Sequence, residues 1–226
     1  MQDQLNNLIQ SYAGIASSTI GHVLDQGHLP QIHAINQIGH VVGRVRTATL
    51  HSVNGMALRQ ALLNSQPGDV LVIDARQLEH RACWGEQRHR AAIYHQLAAV
   101  IILGAVTDVT ALRNMKVPVF ASSVSCLTTR QQGECVVEFD QEIQMGDTCI
   151  SSGDLMVGDA DGVFILNPDI ARHHLEQFQQ MEIQERQKRD QFFSEHSAQD
   201  YYHFTASASA SASASASASA SASASA

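Results

Sequence analysis

The sequence predicts an α/β protein, on two observations. VLVIDA (70–75) and AVIIL (99–103) are short continuous apolar runs of the kind buried on both faces of a parallel sheet, and a helical pattern lies between them. Strand, helix, strand is a βαβ unit with a parallel pair. Further on the style changes: Gly146-Asp147, Gly153-Asp154 and Gly158-Asp159 punctuate short strands in the manner of an antiparallel meander.

Taken in order, residues 3–27 read as a helix pair. Leu5, Leu8, Ile9 and Tyr12 lie at helical spacing, Ser17-Ser18-Thr19 offers an N-cap, and Ile20, Val23 and Leu24 make the next apolar stripe. GHVVGRVRTATL (39–50) alternates as a strand. Asn54-Gly55 is a turn before the helical MALRQALLNS, and Pro67-Gly68-Asp69 is a turn before the first buried strand. Residues 76–85 read as a long loop, Glu86 to Leu97 as a helix, VPVFA (117–121) as a third strand, and Pro168-Asp169 as the start of a long helix to about Phe193. Residues 1–204 are expected to form one domain. The last stretch, 205–226, is strict Ala-Ser alternation from Ala206; it offers no surface to bury and is expected to be a disordered tail.

Composition removes several classes of function. A net charge of −8 repels phosphate backbones, so no nucleic-acid partner is expected. No apolar run approaches the ~20 residues of a membrane helix. The N-terminal MQDQLNNLIQSY is polar, without the apolar core of a secretory leader. Cys83, Cys126, Cys135 and Cys149 include no Cys-x-x-Cys pair, and reduced thiols in the cytoplasm are the expectation. The 12 histidines form no His-x-x-x-His motif. Asp159 and Asp161 in GDADG suggest a calcium loop but lack its terminal Glu, so a tight turn is expected.

The chemistry concentrates between residues 85 and 108. Gly85-Glu86-Gln87-Arg88 opens a helix whose first N–H groups lack helical partners, which together with the helix dipole suits a small carboxylate. Glu86 and Asp108 both follow buried strands, and ligands of parallel sheets bind at the carboxyl ends of strands. Two converging carboxylates would suit a hydrated Mg²⁺; the plainer expectation is that Asp108 caps the helical turn 109–112. Trp84 is expected to wall the loop and Cys83 to be a buried thiol.

The run DVLVIDARQLEHRACWGEQ, then AAVIILGAVTDVTAL, then VPVFA resembles the class II 4-hydroxy-4-methyl-2-oxoglutarate aldolases, a family that also contains oxaloacetate decarboxylases and the regulators of ribonuclease E activity. The signature is an acidic residue, twenty intervening residues, then Arg-Asp. Here Glu86, residues 87–106 and Thr107-Asp108 occupy those places. The likeness covers about residues 15–170. It implies a swivelling β/β/α fold like that of phosphohistidine domains, with a C-terminal helix, and a homotrimer with sites between subunits. It implies that Asp108 ligates Mg²⁺ or Mn²⁺, that Glu86 holds a metal-bound water, and that the 85–88 backbone receives the carboxylate of a 2-keto acid. The implied activity is a lyase releasing pyruvate, by aldol cleavage or by decarboxylation of oxaloacetate. Thr107 departs from the pattern: a neutral hydroxyl replaces a planar cation. Arg88 is a candidate substitute; the plainer expectation is a solvated surface arginine in a basic patch with His89 and Arg90 on an exposed helix face, and a catalytically impaired regulator with a ribonuclease-type partner is the alternative function.

Overall fold

The structure, a computed structural model, describes residues 2–36 and 39–195, so the Ala-Ser tail lies outside the described residues. The chain forms two compact units, one reaching to Gln179 and one beginning at Gln180.

Two helices open the chain, α1 (Gln2–Tyr12) and α2 (Ser17–Gly21). They precede β1 (His33–Ala34) and the long β2 (Val41–Leu50), after which a 3-10 turn at Gly55–Ala57 leads into α3 (Leu58–Asn64). The central βαβ pattern appears as β3 (Asp69–Asp74), β4 (Ala82–Trp84), α4 (Glu86–Tyr94), β5 (Ala99–Val106), α5 (Val109–Leu112) and β6 (Val119–Val124). The later strands are β7 (Val137–Phe139), β8 (Ile143–Met145), β9 (Thr148–Ile150), β10 (Leu155–Gly158) and β11 (Val163–Leu166), followed by α6 (Pro168–Glu195).

Among the described residues nine strands form one mixed sheet, with the path β1-β6-β5-β3-β2-β10-β11. Strands β2, β3, β5 and β6 are mutually parallel, and β1, β10 and β11 add antiparallel neighbours at either side. The two-residue period of a strand sends alternate side chains to opposite faces. Leu71, Ile73, Val100 and Ile102 pack into one apolar cluster with Leu58, Leu62 and Ala92 of α3 and α4. Val70, Val72, Ile101 and Leu103 point the other way, into a cluster with Ile143 and Ile150 of the separate β8–β9 hairpin. Helices, main sheet and small sheet thus make the three layers of the expected β/β/α fold.

Three elements differ from the sequence reading. The stretch 76–85 is not a plain loop: it holds a 3-10 turn, Arg76–Leu78, and then β4. Helix α4 stops at Tyr94, short of Leu97, because Gln96 takes a left-handed backbone (φ 57). The Gln96 N–H bonds to the Ile93 carbonyl and the Leu97 N–H to the Ala92 carbonyl, the paired bonds of a Schellman stop, and Leu97 tucks inward as a buried residue. Glycine usually fills that position, so a glutamine hid the stop. The third is the start of α2, whose capping position is Ala16; the Asp159 carboxylate caps it from a distance, accepting the Ser17 N–H at 2.8 Å and the Ser17 hydroxyl at 2.6 Å. The GDADG segment is accordingly the β10–β11 turn. No described helix is long and apolar enough to cross a membrane.

Candidate active site

Strand β5 has two successive neighbours on one side. Its first half pairs with β3, from Val70↔Ala99 to Asp74↔Leu103, and its second half with β4, Ala82↔Ala105 and Trp84↔Val106. Gly104 marks the change: it has φ 155, and a Cβ there would lie 3.1 Å from that of Ala75. On the opposite side the β5–β6 register slips between Ile102 and Ala105. Such an irregularity re-aims the strand end. The Thr107 N–H then bonds to the Trp84 carbonyl at 2.8 Å, which sets Thr107-Asp108 directly beside Gly85.

That approach is close enough to demand glycine. Gly85 has extended backbone, φ −158, which any residue adopts. A Cβ there, however, would stand 2.5 Å from Asp108 Oδ2 and 2.7 Å from Thr107 Cγ2. Asp108 itself is left-handed (φ 55, ψ 34), a conformation Asp tolerates better than most residues. Its side chain makes no cap bond to α5. Instead Oδ2 accepts the Glu86 N–H at 2.9 Å. The simple capping expectation for Asp108 is therefore replaced by a carboxylate pinned against the start of α4, with Oδ1 unbonded among the described residues.

Beside this contact lies an open cavity of about 340 Å³, lined by Gly55, Met56, Gly85, Gln87, Arg88, Thr107, Asp108 and the 128–131 segment among others. Five of the proposed residues therefore share one cavity. Glu86 contributes its backbone, while its carboxylate turns to Arg90, with nitrogens at 2.9 and 2.6 Å from Oε1. Trp84 is fully buried in the wall, as expected. Cys83 is buried too, and burial pushes its thiol up to about 12, so it is not a thiolate nucleophile.

Arg88 is neither a surface residue nor a free stand-in for the missing arginine. Its guanidinium donates to the Cys83 carbonyl at 2.5 Å and to the Gly55 carbonyl at 2.9 Å, tying β4 to the 55–57 turn. Burial depresses its pKa. Its neighbour His89 is likewise no part of an exposed basic face, being fully buried with Nδ1 accepting the Trp84 Nε1–H at 3.4 Å. The cation that sequence reasoning missed is Arg130. It is exposed, lines the same cavity, and no hydrogen bond or ion pair engages its guanidinium among the described residues. Its backbone N–H bonds to the Val53 carbonyl at 2.8 Å, which holds the 128–131 segment against the cavity. That pairing joins segments far apart in sequence, so no local pattern announced it.

The RraA-like family, described as Aldolase/RraA, matches residues 17–165. The chain belongs to this family. A protein of Halalkalibacterium halodurans, provisionally named a 4-hydroxy-4-methyl-2-oxoglutarate aldolase, is 30% identical over 162 residues, covering 71% of this chain and 76% of that one. A protein of Aromatoleum aromaticum with the same provisional name is 27% identical over 136 residues, or 60% and 84% of the two chains. Among solved structures, Streptomyces coelicolor RraAS2, described as an unusual member of the RNase ES inhibitor RraA family, superposes with a TM-score of 0.70 at 24% identity, covering 81% and 96%. The last likeness establishes the fold.

The divalent metal that the sequence resemblance implies is the group to test against this site. Among the described residues no three His, Cys, Asp or Glu side chains gather as a ligand set. A transition-metal cage is therefore not built here. Mg²⁺ asks for less, since it commonly keeps several waters and takes one or two carboxylates plus substrate oxygens. The free Oδ1 of Asp108 at the cavity fits that requirement.

Proposed function

We propose that this RraA-like protein is a divalent-metal-assisted lyase that cleaves a carbon–carbon bond of a small 2-keto acid and releases pyruvate. One observation carries the reading: Gly85, whose missing side chain lets the Asp108 carboxylate seat on the α4 N-terminus at a cavity holding an unpaired cation. The substrates of choice are a 4-hydroxy-2-oxo acid and oxaloacetate, which share the pyruvate enolate as the product of bond breaking. Mg²⁺ or Mn²⁺, held by Asp108, would supply Lewis-acid stabilisation of that enolate, and Glu86 would support a bound water only on leaving its ion pair with Arg90.

The protein's own groups divide the remaining work. The Gln87 and Arg88 N–H groups in the first turn of α4 have no i−4 carbonyl to bond and orient the substrate carboxylate. Thr107 donates one neutral hydrogen bond. Arg130 brings the positive charge that Thr107 lacks to the same cavity, and Arg88 ties Cys83 to Gly55 beside it. The exposed apolar side chains of Met56, Val124 and Leu127 offer a surface for contact between copies; the homotrimer itself is what the family resemblance implies.

Pyruvate release from oxaloacetate and from 4-hydroxy-4-methyl-2-oxoglutarate, measured with and without Mg²⁺ or Mn²⁺, tests this. Turnover should require metal and fall at least ~10²-fold in Asp108→Asn. A purified protein with neither metal-dependent turnover nor metal binding by calorimetry overturns the proposal. A second reading, an impaired relative acting on a ribonuclease-type partner, has Thr107 in its favour; it predicts an inactive parent in which Thr107→Arg creates the lyase activity.

A further inference from the structure

A second cavity, of about 350 Å³, shares no lining residue with the first. Its walls come from the 24–27 loop, the β8–β9 hairpin and the turn after it, the end of β11, and the first turns of α6. Gly27 makes the enclosure tight. It has φ 95, and a Cβ there would collide with the Ile165 carbonyl, while its own carbonyl accepts the Ile165 N–H at 2.8 Å. The 24–27 loop is thus laid directly on β11.

The informative residue is Asp154. It is 5% exposed and lines the cavity. Oδ2 accepts the Ser151 N–H at 2.8 Å, and no other hydrogen bond reaches the carboxylate among the described residues. Oδ1 is not sealed away, for among the described residues the one fully enclosed side-chain polar atom without a partner is His89 Nε2. No described Lys, Arg or His pairs with Asp154, and the nearby charge is that of Glu142, which is negative. Burial, opposed by the Ser151 N–H and reinforced by Glu142, raises the pKa of the carboxyl. A buried carboxylate without a counter-ion is costly to hold ionised. A cation entering the cavity relieves that cost. Leu24, Ile165 and Ile170 offer an apolar patch in a lining that also holds Gln26, Thr148, Asn167 and the His174 ring, which stacks at 5.7 Å on Phe178. A transition-metal cage is a poor fit, since no three metal-ligating side chains cluster among the described residues.

We propose that this cavity is a ligand site, separate from the lyase centre, for a small organic ammonium ion whose charged head meets Asp154 and whose short apolar body lies against Leu24, Ile165 and Ile170. The Asp154 carboxylate, with the negative charge of Glu142 near it, faces a cavity of mixed polar and apolar lining, and the acidic chain as a whole (−8) attracts cations toward it.

Benzylamine, its neutral analogue benzyl alcohol and the anion phenylacetate are the probes, each followed by saturation-transfer NMR with the full chain at pH 7.5. Benzylamine should bind, and the other two should bind at least tenfold more weakly. Asp154→Asn should weaken benzylamine at least tenfold. In case that variant fails to fold, Ile170→Trp fills the cavity from a position 38% exposed and should abolish binding without disturbing the core. Asp108→Asn should leave benzylamine binding unchanged, which separates this site from the first. Equal binding of all three probes, no binding of benzylamine to the parent, or undiminished binding in folded Ile170→Trp overturns the proposal.

Discussion

At the scale of single residues, Gly85 and Asp108 are one unit. An alanine at position 85 keeps an allowed backbone but drives its Cβ into Asp108 Oδ2. Gly85→Ala should therefore leave folding near the parent, within a few degrees in Tm, while displacing the carboxylate. Displacement of a reacting group by about 1 Å costs on the order of 10²-fold in rate. Pyruvate-release assays beside a thermal melt separate the two effects, and an active Gly85→Ala variant would remove Asp108 from the proposed role. The spacing of Glu86 and Asp108 was legible in the sequence because both follow buried strands. The partners of their side chains were not. Glu86 turns to Arg90, one helical turn on, and Arg88 turns under the site to backbone carbonyls, and both outcomes depend on rotamers that a one-dimensional pattern does not contain. Arg130 was invisible for a different reason: it reaches the cavity through a bridge between residues 54 and 130.

At the scale of elements, the strands announced themselves through long apolar runs, and the errors fell where a short element relies on a distant partner. Strand β4 has only three residues and exists because the second half of β5 leaves it an edge to pair with. Helix α2 has five residues and no cap of its own, and draws one from the β10–β11 turn. That long-range cap is testable. Asp159 accepts the Ser17 N–H, the Ser17 hydroxyl and, at 3.0 Å, the Asp161 N–H. Burial opposes its ionisation, yet the bonds from Ser17 and Asp161, with the charge of His40, leave its pKa lowered. Asp159→Ala should cost about 2 kcal/mol in urea unfolding at neutral pH. A carboxyl with a lowered folded-state pKa contributes its stability above the ordinary carboxylate range and loses it as pH falls through the lower folded value. The gap between parent and variant should thus close in strong acid; a gap independent of pH would mean that the carboxylate charge plays no part.

At the scale of the whole molecule, the α/β class follows from runs such as VLVIDA, whose two faces feed two different cores: Val70 and Val72 into one, Leu71 and Ile73 into the other. The helix layer was readable from the pattern before β5. The layer on the opposite face, the β8–β9 hairpin, was readable only as a meander, because three-residue strands carry too little periodicity to say which face they cover. The helix-side core also holds a group that should lower stability in mild acid. His89 is fully enclosed, its Nε2 lacks a hydrogen bond, and burial lowers its pKa to about 4, with the Val117 backbone only partly opposing. Between the unfolded value of about 6.5 and the folded value of about 4 the unfolded chain holds a proton that the folded chain refuses. The His89 contribution to stability should accordingly be flat above pH 6.5 and fall below it by about 1.4 kcal/mol per pH unit, reaching about 3 kcal/mol near pH 4. Trp84 is the sole tryptophan, is buried, and touches His89, so its emission reports the transition directly. His89→Gln keeps an acceptor for the Trp84 N–H but cannot take up a proton. Its urea midpoint should be lower than that of the parent at pH 7 and decline less steeply between pH 6.5 and 5; a parallel decline in both proteins would place the acid sensitivity elsewhere than His89.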